Sequence, residues 1–239
     1  MKIKTACLSD RGGRSTNDDT VRIHEDGDCV WVFVGDGLGG YSGGQQASQA
    51  AAEALYAASR RGSLLADAQM IDAAQQADQA VRAVQQEYRG KMKTTLVFLY
   101  MEDGRARWMH VGDSRLYHFC GGRLQSQTAD HSVSQMAVLM GEITPQEIRF
   151  HEDRNRVLRA LGGDNAKPEL SPTVILTGGK DAFLLCTDGF WEYVYENEMT
   201  QTLRTAKTPQ AWLDSMAAIL RTRTPSDNDN FTAAAVFCE

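Results

Sequence analysis

The chain has 239 residues, 42% of them hydrophobic and 23% charged. That is enough to bury a core as one domain, or one domain with a small insert, and too apolar for a disordered or fibrous protein. With 25 Lys and Arg against 31 Asp and Glu, the formal net charge is −6, which argues against a binder of nucleic acid or of an anionic membrane.

Met1 to Leu8 runs straight into Ser9-Asp10-Arg11 without the apolar stretch of a signal peptide, and no apolar run approaches the roughly 18 residues of a membrane span. A cytoplasmic protein is expected. Apolar β-type runs bounded by Gly or Asp predict strands over residues 20–24 and 29–34. Two helices follow, over 44–61 with Ala47, Ala51, Ala54, Leu55 and Ala58 at helical spacing, and over 64–89 with Ile71, Ala74, Val81, Val84 and Tyr88 along one face. Gly90 is the expected stop. Residues 94–100, 107–111 and 115–119 return to strand, and 132–140 and 144–151 read as two short helices. They belong to a polar, Met-containing stretch, about 132–163, expected to form an inserted flap. Strands are predicted at 173–176, 182–186 and 231–237; between the last two, Thr208 and Pro209 start a helix carrying Trp212, Met216, Ile219 and Leu220. The two long helices follow each other directly, so a layered α+β fold is expected instead of a doubly wound parallel sheet. Cys7, Cys29, Cys120, Cys186 and Cys238 are odd in number and form no CxxC pair, and read as reduced core thiols.

The informative pattern is an aspartate closing an apolar run. Val30 to Gly35 ends in Asp36-Gly37, Trp108 to Gly112 in Asp113-Ser114, and Phe183 to Thr187 in Asp188-Gly189. Asp18-Asp19 and Asp229-Asn230 stand just before two further strand candidates. One Asp-Gly alone is an ordinary turn. Several acids gathered at the strand ends of one fold are tolerable only beside a cation. Every donor is an oxygen, and His24, His110, His118, His131 and His151 show no zinc-binding spacing, so Mg²⁺ or Mn²⁺ is expected. Two decoys fail. Counted as a calcium loop from Asp227, the sixth position is Thr232 instead of Gly and the twelfth is Cys238 instead of Glu. Gly35-Asp36-Gly37-Leu38-Gly39-Gly40 fits GxGxxG, but Asp36 would repel a pyrophosphate there.

Eight motifs in order carry a resemblance over almost the whole chain. They are Ser9-Asp10 through Arg14 to Asn17-Asp18-Asp19; Gly35 to Gly40 with Ala47-Ser48; Lys93-Thr94-Thr95; Val111-Gly112-Asp113-Ser114-Arg115; Thr128-Ala129-Asp130-His131-Ser132; Arg154-Asn155 with Leu161-Gly162; Thr187-Asp188-Gly189; and Asp229-Asn230-Phe231-Thr232. This set resembles the metal-dependent protein phosphatases, the protein phosphatase 2C family, in their compact bacterial form. The resemblance implies an αββα sandwich, two central antiparallel sheets flanked by helices, with two metals at one end bridged by the attacking water. By motif position Asp36 matches the bridging ligand, Gly37 lends its carbonyl, and Asp188 and Asp229 complete the first metal shell. Asp18 and Asp19 match acids that hold metal-bound waters, Asp113 pairs with Asp188 at a weaker third ion, and Arg14 matches the arginine that binds the substrate phosphate.

The implied activity is hydrolysis of phosphoserine and phosphothreonine in proteins with Mn²⁺ or Mg²⁺, opposing a bacterial serine/threonine kinase in signal transduction, by a monomer. A phosphoprotein-binding regulator with the same fold is the alternative, which loss of Asp36, Asp188 or Asp229 would favour; all three are present. Two positions depart from the family pattern. Leu38 stands where animal members carry a histidine proposed as general acid, and Asp18 replaces the usual Glu or Gln. His131 and His151 are candidate substitutes for that acid. In the flap, Met136, Met140, Arg149, Arg154, Arg156 and Arg159 suit phosphoprotein docking, or else form the wet side of a face packed through Leu139, Val157, Leu158 and Leu161.

Overall fold

The computed structural model describes residues 1–27, 29–39 and 43–239; Gly40 of the Gly-rich motif lies outside them. The chain begins with β1 (Ile3–Asp10), β2 (Thr20–Asp26), β3 (Cys29–Gly35) and the short β4 (Gly37–Leu38), then α1 (Gly43–Ser59) and α2 (Asp67–Tyr88). Next come β5 (Lys93–Thr94), β6 (Leu96–Glu102), β7 (Arg105–Val111), β8 (Arg115–Cys120) and β9 (Arg123–Gln127), followed by α3 (Val133–Leu139) and a 3-10 turn over Pro145–Phe150. The short β10 (Glu169–Leu170) and β11 (Val174–Ile175) lead to β12 (Asp181–Cys186), α4 (Asp188–Trp191), α5 (Glu196–Thr205), α6 (Pro209–Arg223) and β13 (Phe231–Cys238).

Two antiparallel sheets, in the orders β1-β13-β12-β8-β9 and β10-β7-β6-β3-β2, hold most of the strands; β11 also pairs with β7, and β4 pairs with β5 apart from them. Strand alternation sends Val30, Val32, Val34, Val97 and Leu99 inward against Leu116, Phe183, Leu185, Ala234 and Val236 of the opposite sheet. The outer faces are covered as well. Trp31, Phe33, Phe98 and Tyr100 pack under α1 and α2, while Tyr117, Phe119, Leu184 and Ala233 pack with Trp212, Met216 and Leu220 of α6. Four layers, helix, sheet, sheet and helix, result. Because β3, β6 and β12 are buried on both faces, they are read in the sequence as unbroken apolar runs.

Several local expectations shift. The 94–100 run is interrupted, so that Thr94 ends β5 and Thr95 lies between it and β6. α2 buries Met70, Ala73, Ala74, Ala77 and Val81, leaving Ile71 and Tyr88 of the expected face 39% and 56% exposed. It ends on Arg89, whose φ of +50° forms a left-handed cap one residue before Gly90. The helix expected over 144–151 is a 3-10 turn over Pro145–Phe150. All five cysteines are free, but only Cys186 and Cys238 are core; Cys29 and Cys120 are half-buried and Cys7 is exposed.

Candidate active site

Antiparallel pairing gathers the acids. The start of β2 lies beside the end of β3, with Thr20 opposite Gly35, so Asp18 and Asp19 come next to Asp36. Thr187 N–H donates to Thr232 O at 3.0 Å, which sets Asp188, at the start of α4, beside Asp229. Asp113 follows β7, two strands from β3 through β6. Asp18, Asp19, Asp36 and Asp113 hang from one sheet and Asp188 and Asp229 from the other, all at one end of the sandwich.

The acids act on one another's charge. Burial pushes Asp36 well above the ordinary carboxylate range, and Asp188, Asp19, Asp113 and Asp229 push it further. Asp188 is raised likewise, by burial and then by Asp113, Glu192, Asp229 and Asp19. Asp19 rises to about 7, chiefly through burial, and Asp113 to about 7 through burial and Asp130. Asp18 is also raised, by burial first. Asp18 Oδ1 and Asp113 Oδ1 are buried without a hydrogen-bond partner. An all-oxygen set of mutually repelling acids with orphaned lone pairs fits a hard divalent cation.

The backbone around them is tightly held. Gly37 is buried, and an added Cβ would lie 2.2 Å from Gly44 O and 2.5 Å from Asp18 O, so only glycine fits beside Asp36. Asn230 Oδ1 accepts from Asp18 N–H at 2.8 Å, while its Nδ2 donates to Arg11 O at 2.9 Å and Thr16 O at 2.8 Å. One amide thus ties the Arg14 loop to the Asp229 loop. Thr187 Oγ1 donates to Asp19 Oδ2 at 2.9 Å. Neither Asn230 nor Thr187 is assigned a role by the sequence, although each adjoins a motif aspartate.

Arg14 Nε and Nη2 grip Asp229 Oδ1 and Oδ2 at 3.1 and 3.0 Å. Behind Asp113, Trp191 Nε1 donates to Asp113 O at 2.9 Å, and Arg115, 3.5 Å from the Trp191 ring centre, makes two 2.7 Å bonds to Asp130. The arginines of the 132–163 stretch are mostly occupied. Arg149 is buried on Trp191 O, Val194 O and Glu196; Arg154 binds Glu192 and Arg156 binds Asp153. Leu161 is buried, but Leu139, Met140, Phe150 and Leu158 are exposed.

Leu38 is half-buried opposite Lys93 and offers no proton. The histidines considered in its place hold structure. His151 Nδ1 accepts from Asp153 N–H, and His131 Nδ1 accepts from Gly112 N–H at 3.1 Å. Among the described residues, the one group of three His, Cys, Asp or Glu side chains whose donor atoms all lie within 4.8 Å of one another is His110, His131 and Glu169, so no three of the aspartates meet that closely. The two rings stack at 4.7 Å and 9°, so their in-plane lone pairs do not converge. Gly112 N–H also leaves the proton of neutral His131 on Nε2, which disfavours a metal there.

Comparison with known proteins places the chain in a class. The protein phosphatase 2C family matches residues 9–230, and the chain belongs to that family. The serine/threonine protein phosphatase PstP of Mycobacterium tuberculosis is 33% identical over 211 residues, 85% of this chain; the match spans 39% of PstP's length. The serine/threonine phosphatase stp of Listeria monocytogenes is 32% identical over 241 residues, 95% of this chain and 93% of the relative. The crystal structure of the PstP catalytic domain in complex with two manganese ions superposes with a TM-score of 0.82 at 29% identity, over 98% of this chain and 97% of that one. PppA, a key regulatory component of T6SS in Pseudomonas aeruginosa, gives 0.81 at 25% identity, over 100% and 99%.

Proposed function

We propose that this chain is a Mn²⁺- or Mg²⁺-dependent protein phosphatase that hydrolyses phosphoserine and phosphothreonine monoesters. The observation that carries the proposal is the electrostatic coupling of Asp36 to Asp19, Asp188 and Asp229, whose charges push its buried carboxyl further up. Asp36, Gly37, Asp188 and Asp229 would hold two cations, Asp18 and Asp19 their waters, and Asp113 with Asp188 a weaker third. Bound there, the cations would offset the charge of a phosphate dianion and lower the pKa of a shared water.

The chain's own groups do the rest. Arg14 offers a planar, permanently charged fork matched to two phosphate oxygens. Its present partner is the carboxylate of Asp229 in a pair 56% and 47% exposed, and such a pair contributes little, so the fork can move to a substrate. Thr187 fixes the carboxylate of Asp19, and the Asn230 amide fixes the loop from which Arg14 reaches. Leu38 donates no proton, leaving the departing alkoxide to take one from water.

Phosphoproteins of a bacterial signalling system, with an opposing serine/threonine kinase, are the proposed partners. A cytoplasmic monomer, one domain with a flap over 132–163, is the proposed form; among the described residues no helix is long and apolar enough to cross a membrane. Hydrolysis of a phosphothreonine peptide with and without Mn²⁺ tests the reading. Activity that survives chelation, or survives Asp36→Asn, overturns it.

A further inference from the structure

Thr94 and Thr95 are fully buried. Thr95 leads into β6, the strand between β3 and β7. With the strands antiparallel, the start of β6 lies between the ends of its neighbours, one followed by Asp36 and the other by Asp113. The Thr95 side chain reaches both turns. Its Oγ1 accepts from Asp36 N–H at 2.8 Å and lies 2.7 Å from Ser114 Oγ. A hydroxyl has one proton and two lone pairs, so this single oxygen serves both contacts.

The rest of the threonine pair tightens the same link. Asp36 O accepts from Thr95 N–H and from Thr94 Oγ1, each at 2.9 Å. On the other side, Gly112 has φ +107°, and a Cβ added to it would lie 2.7 Å from Thr95 Cγ2. The Thr95 methyl therefore fills the space that Gly112 leaves. His131 secures Gly112 from behind, its N–H donating to Gly112 O at 2.9 Å and its Nδ1 accepting from Gly112 N–H at 3.1 Å.

We propose that Thr95 is a positioning residue whose hydroxyl sets the turn of Asp36 against the turn of Asp113, and so sets the affinity of the acid cluster for its cations. This rests on the reading of those acids as cation ligands. Residues that orient ligands from behind typically change metal affinity about 10- to 100-fold when removed. Thr95→Val keeps the shape but leaves Asp36 N–H and Ser114 Oγ unpaired, and Thr95→Ser keeps the hydroxyl and loses the methyl. Ser114→Ala cuts only the arm toward Asp113.

The test is calorimetric titration of Mn²⁺ into the full chain stripped of metal, with circular dichroism to verify folding. Thr95→Val is expected to bind about 10- to 100-fold more weakly, Ser114→Ala more weakly than wild type, and Thr95→Ser close to wild type. Wild-type affinity in a folded Thr95→Val or in Ser114→Ala overturns the proposal. So does equal weakening in Thr95→Ser and Thr95→Val, which would assign the effect to packing. A wild-type chain that binds no Mn²⁺ overturns the cation reading itself, and this proposal with it.

Discussion

Arg14 holds Asp229 through two parallel hydrogen bonds of 3.1 and 3.0 Å, so the residue proposed for the phosphate and an acid proposed for the metal neutralise each other. Loading Asp229 with a cation competes with that pair. Arg14→Lys keeps the charge and loses the fork. It should lower kcat/KM for a phosphothreonine peptide about 10- to 100-fold, the equivalent of one charge-assisted hydrogen bond, while Mn²⁺ affinity stays the same or rises. A Lys variant with wild-type kinetics would remove Arg14 from substrate binding.

The acid cluster sets a pH dependence of defined sign. Asp19 and Asp113 titrate at about 7 in the folded chain and at about 3.9 when unfolded. Between those values the folded state holds more protons, so metal-free stability falls as pH rises from about 4 to about 7. Mn²⁺ takes the place of those protons. Thermal unfolding with a chelator should therefore show a lower Tm at about pH 8 than at about pH 5, and Mn²⁺ should raise Tm more at the higher pH. A chelated protein whose Tm climbs over this range contradicts the clustering.

Beneath Asp113, the Arg115–Asp130 pair has side chains 2% and 1% exposed. Asp130→Asn leaves a buried guanidinium facing a neutral group, and breaking one side of such a pair costs about 3–5 kcal/mol. Urea unfolding should show a loss of that size. A change under about 1 kcal/mol would mean that Tyr117 and Glu196, also beside Arg115, are sufficient partners.

Arg149 joins the 132–163 stretch to the end of α4 and the start of α5 through Trp191 O, Val194 O and Glu196. Arg149→Ala should release this attachment and leave both sheets in place. Limited trypsin digestion is expected to cut first after Arg154, Arg156 or Arg159, with the far-ultraviolet spectrum unchanged; cleavage no faster than in wild type would show that α3 holds this stretch unaided.

The acids were legible because each follows or precedes an apolar run and a glycine or asparagine, a pattern that survives without knowledge of the pairing. β1 was not, because its side chains are mostly half-buried and its residues mix Lys, Thr, Ser and Asp with apolar ones. α5 escaped notice since it buries only Met199. In α2 the abundant alanines blurred the apolar stripe, and the buried side turned out to be Met70, Ala73 and Ala77 in place of Ile71 and Tyr88. Thr95 belongs to the Lys93-Thr94-Thr95 motif, but that motif assigns it no role. What gives it a role is the antiparallel order β3-β6-β7, a long-range pairing that no local stretch of residues encodes.

That four of the acids hang from one sheet and Asp188 and Asp229 from the other has a mechanical meaning. Cations shared between them would act as a removable rivet between the two halves of the sandwich, strengthening with free metal as RT ln(1 + [M]/Kd). Scarce metal would then cost the cell more than turnover. The molecule would breathe across its central interface and expose Val32, Leu99 and Phe183, and its lifetime against proteases would follow the manganese supply.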